Sequence, residues 1–229
     1  MFETVRMVEV AEVTRLVMDE LQIAALAFMA LVYAYKVYWI LKRKPVKERT
    51  PSRGDEGRAI RYAYMTIAMP WEVESQRRSP LRWIEFAMFH VGVAVAIGAT
   101  FVLPYAPWVL SHRLTILILQ GILGLALLGG ISRLVRRIAR AHMRAISSPD
   151  DYFSIVLLDA WLASAIWGVM QTSETGLLVY FGMTAFFLVT VPFTKISHYI
   201  FWPFIRFYTG KHFGHRGVFP RKVVREGMA

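Results

Sequence analysis

Two histidines stand where an imidazole is costly. His90 lies within FAMFHVGVAVAIGAT (residues 86–100), a stretch otherwise almost wholly apolar, and His198 ends VPFTKISH (residues 191–198). A histidine inside a membrane either hydrogen-bonds a neighbouring helix or does chemistry. A pair offers more, because two neutral imidazoles on opposed helices can take both axial positions of a haem iron. The macrocycle then needs flat space, which Gly92, Gly98, Gly121 and Gly124 would leave, and its propionates need cations such as Arg82, Arg133, Arg136 and Lys195. Asp159 is a further intramembrane carboxylate with two readings: a proton acceptor beside a quinone, or a structural partner of Lys36. The other histidines sit differently. His112 falls in a loop, His142 in a basic segment, and His212 and His215 in a polar tail with no cysteine or carboxylate pair to complete a zinc site.

The elements that must carry these residues follow from composition. The 229 residues are 56% hydrophobic and 14% aromatic, above the roughly 45–50% apolar content of soluble domains. Five apolar runs, at 21–41, 83–105, 114–131, 152–170 and 176 to about 200, have the length that crosses a bilayer. The expected fold is an all-α membrane protein, a bundle of five transmembrane helices. The segment 1–20 is acidic and amphipathic instead of short and basic, so no cleavable signal is expected and the first helix should be retained.

Charge sets the orientation. Of 27 Lys and Arg residues, 11 lie in 42–82, 5 in 132–151 and 7 in 194–229, all on one side of a five-helix bundle. Arg6, Arg15 and Arg113 lie on the other, and Lys36 sits inside the first helix near its basic end. Positive charge marks the cytoplasmic side, so the N-terminus is expected outside and the C-terminus in the cytoplasm of a multi-pass protein of the cell membrane. The domain plan is an outer segment 1–20, a membrane domain 21–200 with a long basic loop at 42–82, and a basic tail 201–229 that follows an aromatic belt. Loop and tail are the expected docking surface for a partner. Topology and anionic lipid explain the formal net charge of +11, and no nucleic acid is expected. Cysteine is absent, which excludes disulfides, c-type haem attachment and iron-sulfur clusters built by this chain.

Three segments, FHVGVAVAIGATFVLPYAP, GILGLALLGG followed by RLVRR, and GMTAFFLVTVPFTKISH, resemble the gamma subunit of respiratory nitrate reductases. That subunit is a five-helix cytochrome b, with relatives in heterodisulfide-reductase-like and sulfate-reducer membrane complexes. The likeness runs from about Arg82 to Pro203, and its most specific parts are the Phe-His pair at 89–90 and the Pro-Phe-Thr-Lys-x-x-His ending at 192–198. It implies electron transfer between membrane quinone and an iron-sulfur subunit on the cytoplasmic side, with His90 and His198 on haem b. The family binds two haems, but the positions of the outer ligand pair hold Thr100 and Leu178, so one haem is expected here. The family's quinol site lies beside that outer haem, and its place in this chain stays open. The alternative reading is a haem-free membrane anchor or small transporter subunit whose histidines pack helices.

Overall fold

A computed structural model describes residues 11–44 and 48–220, and among them the regular elements are helical. The α-helices in order are α1 Glu12–Met18, α2 Glu20–Lys42, α3 Glu56–Met65, α4 Glu74–Arg77, α5 Pro80–Tyr105, α6 Arg113–Ala139, α7 Ala141–Ala145, α8 Pro149–Gly168, α9 Glu174–Thr190 and α10 His198–His215. Residues 1–10 with Arg6, residues 45–47 of the basic loop, and the end of the tail from 221 lie outside the described residues.

Among the described residues, four stretches are long and apolar enough to cross a membrane: Glu12–Lys42, Pro80–Tyr105, Arg113–Ala139 and Glu174–Phe193. Leu31, Leu117, Leu125, Leu128 and Phe186 on them are exposed, a surface that lipid would cover. The run at 152–170 forms α8, whose 20 residues include Asp150, Asp151 and Asp159. The run at 176–200 is interrupted. Helix α9 stops at Thr190, and two 3₁₀ turns, Val191–Phe193 and Lys195–Ser197, precede α10. Pro192 has no N–H to continue the α-helical ladder, so the chain tightens into a 3₁₀ turn there with Val191 still in right-handed helical backbone, and it leaves the helix at Thr194, whose backbone is extended (φ −112°, ψ 171°). His198 therefore opens α10 instead of closing α9.

The described residues form two compact units, one built from residues up to 34 with 84–196, the other from 35–83 with residues from 197 onward. The first centres on α8 and α9, where Trp161, Leu162, Tyr180 and Phe181 are almost fully buried. Two aromatic residues of this core have their polar atoms paired: the Trp161 indole N–H donates to Thr184 Oγ1 at 2.8 Å, and the Tyr180 hydroxyl donates to the Ala96 carbonyl of α5 at 2.5 Å. The Trp161 ring stacks on Phe187 at 4.7 Å. Helix α8 starts where it does because Asp151 reaches back to accept the Ser148 N–H at 2.8 Å, with Pro149 at the first position. Glu174, in the first turn of α9, accepts from the Ala11 N–H at 2.6 Å and the Thr14 hydroxyl at 2.7 Å, which ties α1 to α9.

In the second unit α3 lies along α10. Ala59 and Ala63 are fully buried in the seam. Opposite them a side chain on Gly214 would come 2.5 Å from Ala59 Cβ and 3.0 Å from Glu56 Cα, and one on Gly210 would meet the Ile60 backbone N at 2.8 Å. Asp55 caps α3 by accepting the Arg58 N–H at 2.9 Å. The Tyr64 hydroxyl donates to the Pro203 carbonyl at 2.7 Å, and its ring meets Trp202 edge-on. Beyond α10, Arg216 pairs with Glu48 at 2.8 Å, and the left-handed φ of +70° at Gly217 lets the chain close against Arg53. The basic loop and the run after 201 thus fold together as one small helical module.

His215 locks that module. Its Nδ1 is 2.8 Å from Glu56 Oε1 and its Nε2 is 2.7 Å from the Thr50 carbonyl, so a doubly protonated ring satisfies both acceptors. The Thr50 carbonyl and, after it, the Glu56 carboxylate raise its pKa above 6.5. A raised folded-state value means that the proton contributes stability below the unfolded pKa and that this contribution is lost as pH rises through the folded one. Backbone hydrogen exchange at 50–56, corrected for intrinsic rates, should therefore be slower at about pH 6 than at about pH 8. In His215→Gln the difference should vanish; an unmutated loop with equal protection at both would overturn the lock.

Candidate functional site

His90 is half-buried on α5, and its Nδ1 lies 2.7 Å from the Phe86 carbonyl one turn back. A carbonyl only accepts, so Nδ1 carries the proton and the lone pair of the neutral ring is on Nε2. Metal-ligating histidines are oriented in this way. The rings of Phe86 and Phe89 flank the imidazole at 4.1 and 5.8 Å. Arg133 from α6 lies over Phe89 at 4.4 Å, with Phe86 at 5.9 Å.

Glu85 gathers the cations at this end of α5. Arg136 grips both its oxygens, each at 3.1 Å, while Arg133 Nε stands off at 3.9 Å. Two guanidinium groups against one carboxylate leave a net positive charge, suited to an anionic group. Glu85 is absent from the site read in the sequence. Its signal is there, though, as a lone acid at the start of the apolar run 83–105 with basic RLVRR ending the next.

Asp159 is buried in α8, and its carboxyl fills the place that a side chain on Gly130 of α6 would take. Neither oxygen accepts a hydrogen bond among the described residues. Lys36, its suggested partner, is in the second unit with its ammonium 5.8 Å from the Phe201 ring centre.

The remaining candidates are spread. Gly92 is buried, and the space beside it is taken by Ala126 of α6, so this glycine serves close helix packing; Gly98, Gly121 and Gly124 face open space. Lys195 donates from Nζ to Asp151 at 2.5 Å and to Ser148 Oγ at 2.9 Å, and from its backbone N–H to Asp150 at 2.9 Å, which fastens the 3₁₀ turn to the start of α8. Arg82 donates to Ser79 Oγ in the second unit. His198, exposed at the head of α10, also belongs to the second unit. The Thr100 hydroxyl donates to the Ile97 carbonyl of its own helix at 2.7 Å. Among the described residues no three or more His, Cys, Asp or Glu side chains converge as a metal-ion cluster, a requirement that a two-imidazole haem site does not have.

No family model matches the chain, and no solved structure matches it. A protein of Nitratidesulfovibrio vulgaris, strain Hildenborough, described simply as "Protein", is 26% identical over 146 residues. The match covers 58% of this chain and 61% of that relative, about three fifths of its length.

Proposed function

We propose that this chain is a five-span cytochrome b subunit of the cytoplasmic membrane, N-terminus outside, which carries electrons between quinone and an iron-sulfur partner subunit on the cytoplasmic side. His90 and His198 would hold a single haem b. The observation that carries the reading is the hydrogen bond from His90 Nδ1 to the Phe86 carbonyl, which fixes the tautomer whose Nε2 binds iron. When bound, the haem supplies reversible one-electron chemistry that a cysteine-free chain otherwise lacks. Arg133 and Arg136, over-supplied relative to Glu85, are the cations for its propionates; Lys195 is already engaged by Asp151. The resemblance to nitrate reductase gamma subunits supports the same assignment.

Two features support the fifth span and the orientation. The 20 residues of α8 reach about 30 Å, the thickness of a bilayer core. Asp150 and Asp151 lie in its first turn, which leaves Asp159 as its one inner carboxylate. Arg133, Arg136, Arg137 and Lys195 mark one end of the first unit and Arg15 and Arg113 the other, a positive-inside asymmetry. A second reading, the haem-free anchor, is favoured by one observation: the space beside Gly92, offered for the macrocycle, is taken by Ala126 of α6.

The test is the full chain, purified from haem-supplied membranes, with spectra after ferricyanide and dithionite. A low-spin b-type spectrum, one haem per chain and a single one-electron wave are expected, since Thr100 and Leu178 provide no imidazole. Two waves from two haems would overturn the single site, and a colourless protein would leave the anchor.

A further inference from the structure

Of the five aspartates in the chain, four accept hydrogen bonds: Asp19 from the Tyr105 hydroxyl, Asp55 from the Arg58 N–H, Asp150 from Ser154 and Lys195, and Asp151 from Ser148 and Lys195. Asp159 stands apart, 8% exposed and with neither oxygen hydrogen-bonded among the described residues. A carboxylate kept charged in that condition costs several kcal/mol, and taking up a proton removes the cost.

The charges around it are few. Asp159 Oδ1 coincides with the place of a Cβ on Gly130; Arg133, three residues on along α6, attracts it electrostatically. Helix α9 carries one charged residue, Glu174, which is committed to Ala11 and Thr14 at the α1 contact. On α8 itself Asp150 and Asp151 are held by Lys195. From α5 comes Glu85, which reaches Asp159 only through Arg133. Arg133 is the loosely held member of that cluster, because Arg136 makes the two shorter bonds to Glu85 and would remain if Arg133 left.

The geometry points to Asp159 as a proton-binding site inside the membrane domain, with Arg133 as the cation that shifts between Glu85 and Asp159 as the proton is lost and regained. With the proton on, Arg133 rests over Phe89 and leans on Glu85. When the carboxylic O–H bond breaks and the proton leaves to a base or to water, the guanidinium gains a charged acceptor across the α6–α8 seam, while Glu85 keeps Arg136. No redox change is involved, and the site stands whether or not the chain binds haem.

The experiment is infrared spectroscopy of the haem-free full chain in lipid nanodiscs across a pH series, with aspartate carboxyl carbons isotopically labelled. A label-sensitive carboxylic C=O band is expected at mildly acidic pH, above the range in which free aspartic acid titrates, lost reversibly as pH rises and absent from Asp159→Asn. In Arg133→Gln the band should persist to higher pH, because the cation that favours the carboxylate is gone. The label identifies an aspartic acid in the unmutated chain, so the outcome is decided even if Asp159→Asn fails to insert. No label-sensitive carboxylic band above about pH 5 would mean that Asp159 titrates as an ordinary aspartate and would overturn the site. A band indifferent to Arg133→Gln would overturn the role of Arg133.

Discussion

His90→Ala and His198→Ala should each give membranes that contain the chain but show no haem b spectrum. On the proposed assignment each removes one of two bonds to iron, and alanine offers no replacement ligand, nor do the rings of Phe86 and Phe89 beside His90. The loss should be complete in both, while His112→Ala, His142→Ala and His212→Ala keep the full haem-to-protein ratio. His215→Ala also keeps its haem but loses the lock on residues 50–56. The measurement is haem content by pyridine haemochrome against chain content by immunoblot. A normal low-spin spectrum from His198→Ala would remove His198 from the iron.

Gly214→Leu separates α3 from α10. The groups nearest to a side chain there are Ala59 Cβ, Glu56 Cα and the Asp55 carbonyl, at 2.5, 3.0 and 3.1 Å, and two of these are backbone that cannot rotate away. Overpacking of this kind costs about 1–3 kcal/mol where side chains can yield and more where they cannot. Amide protection across Glu56–Met65 should fall to that of an isolated ten-residue helix, which is marginal in water. Gly57→Ala is the control: the nearest atom, Asp55 Oδ1, is 3.4 Å away, so protection there should hold or rise by up to about 1 kcal/mol. Equal protection in Gly214→Leu and the unmutated chain would show that the seam does not hold α3.

The membrane character and most helix positions are legible in the sequence because apolar runs signal locally, one residue after another. His90 is legible for the same reason, as a polar interruption of such a run. Pro192 is visible too, yet hydropathy carries smoothly from 176 to 200 and hides the break; the proline's missing N–H and the extended backbone at Thr194 separate α9 from α10. The α3–α10 seam is legible only in part: Ala59 with Ala63 and Gly210 with Gly214 each stand four residues apart, a small-residue packing spacing, but the sequence does not say that these two faces meet each other. Glu85 is a similar case, an acid whose role depends on Arg133 and Arg136 of a different helix. Asp159 is legible as an acid inside an apolar run. That it accepts no hydrogen bond among the described residues is a property of its neighbours, and the chain's own order does not encode it.

The seam between α3 and α10 also has a history in time. Its hydrogen bonds join residues 139 to 168 positions apart, as in Tyr64 to Pro203 and Arg216 to Glu48. A ribosome adding about 5–20 residues per second needs on the order of ten seconds to cover that distance. Throughout that interval the nascent chain presents α3 with its alanine face uncovered, while α5, α6, α8 and α9 are still being made. Completion of the module therefore waits for α10, and a product truncated before it would leave the Ala59 and Ala63 face uncovered.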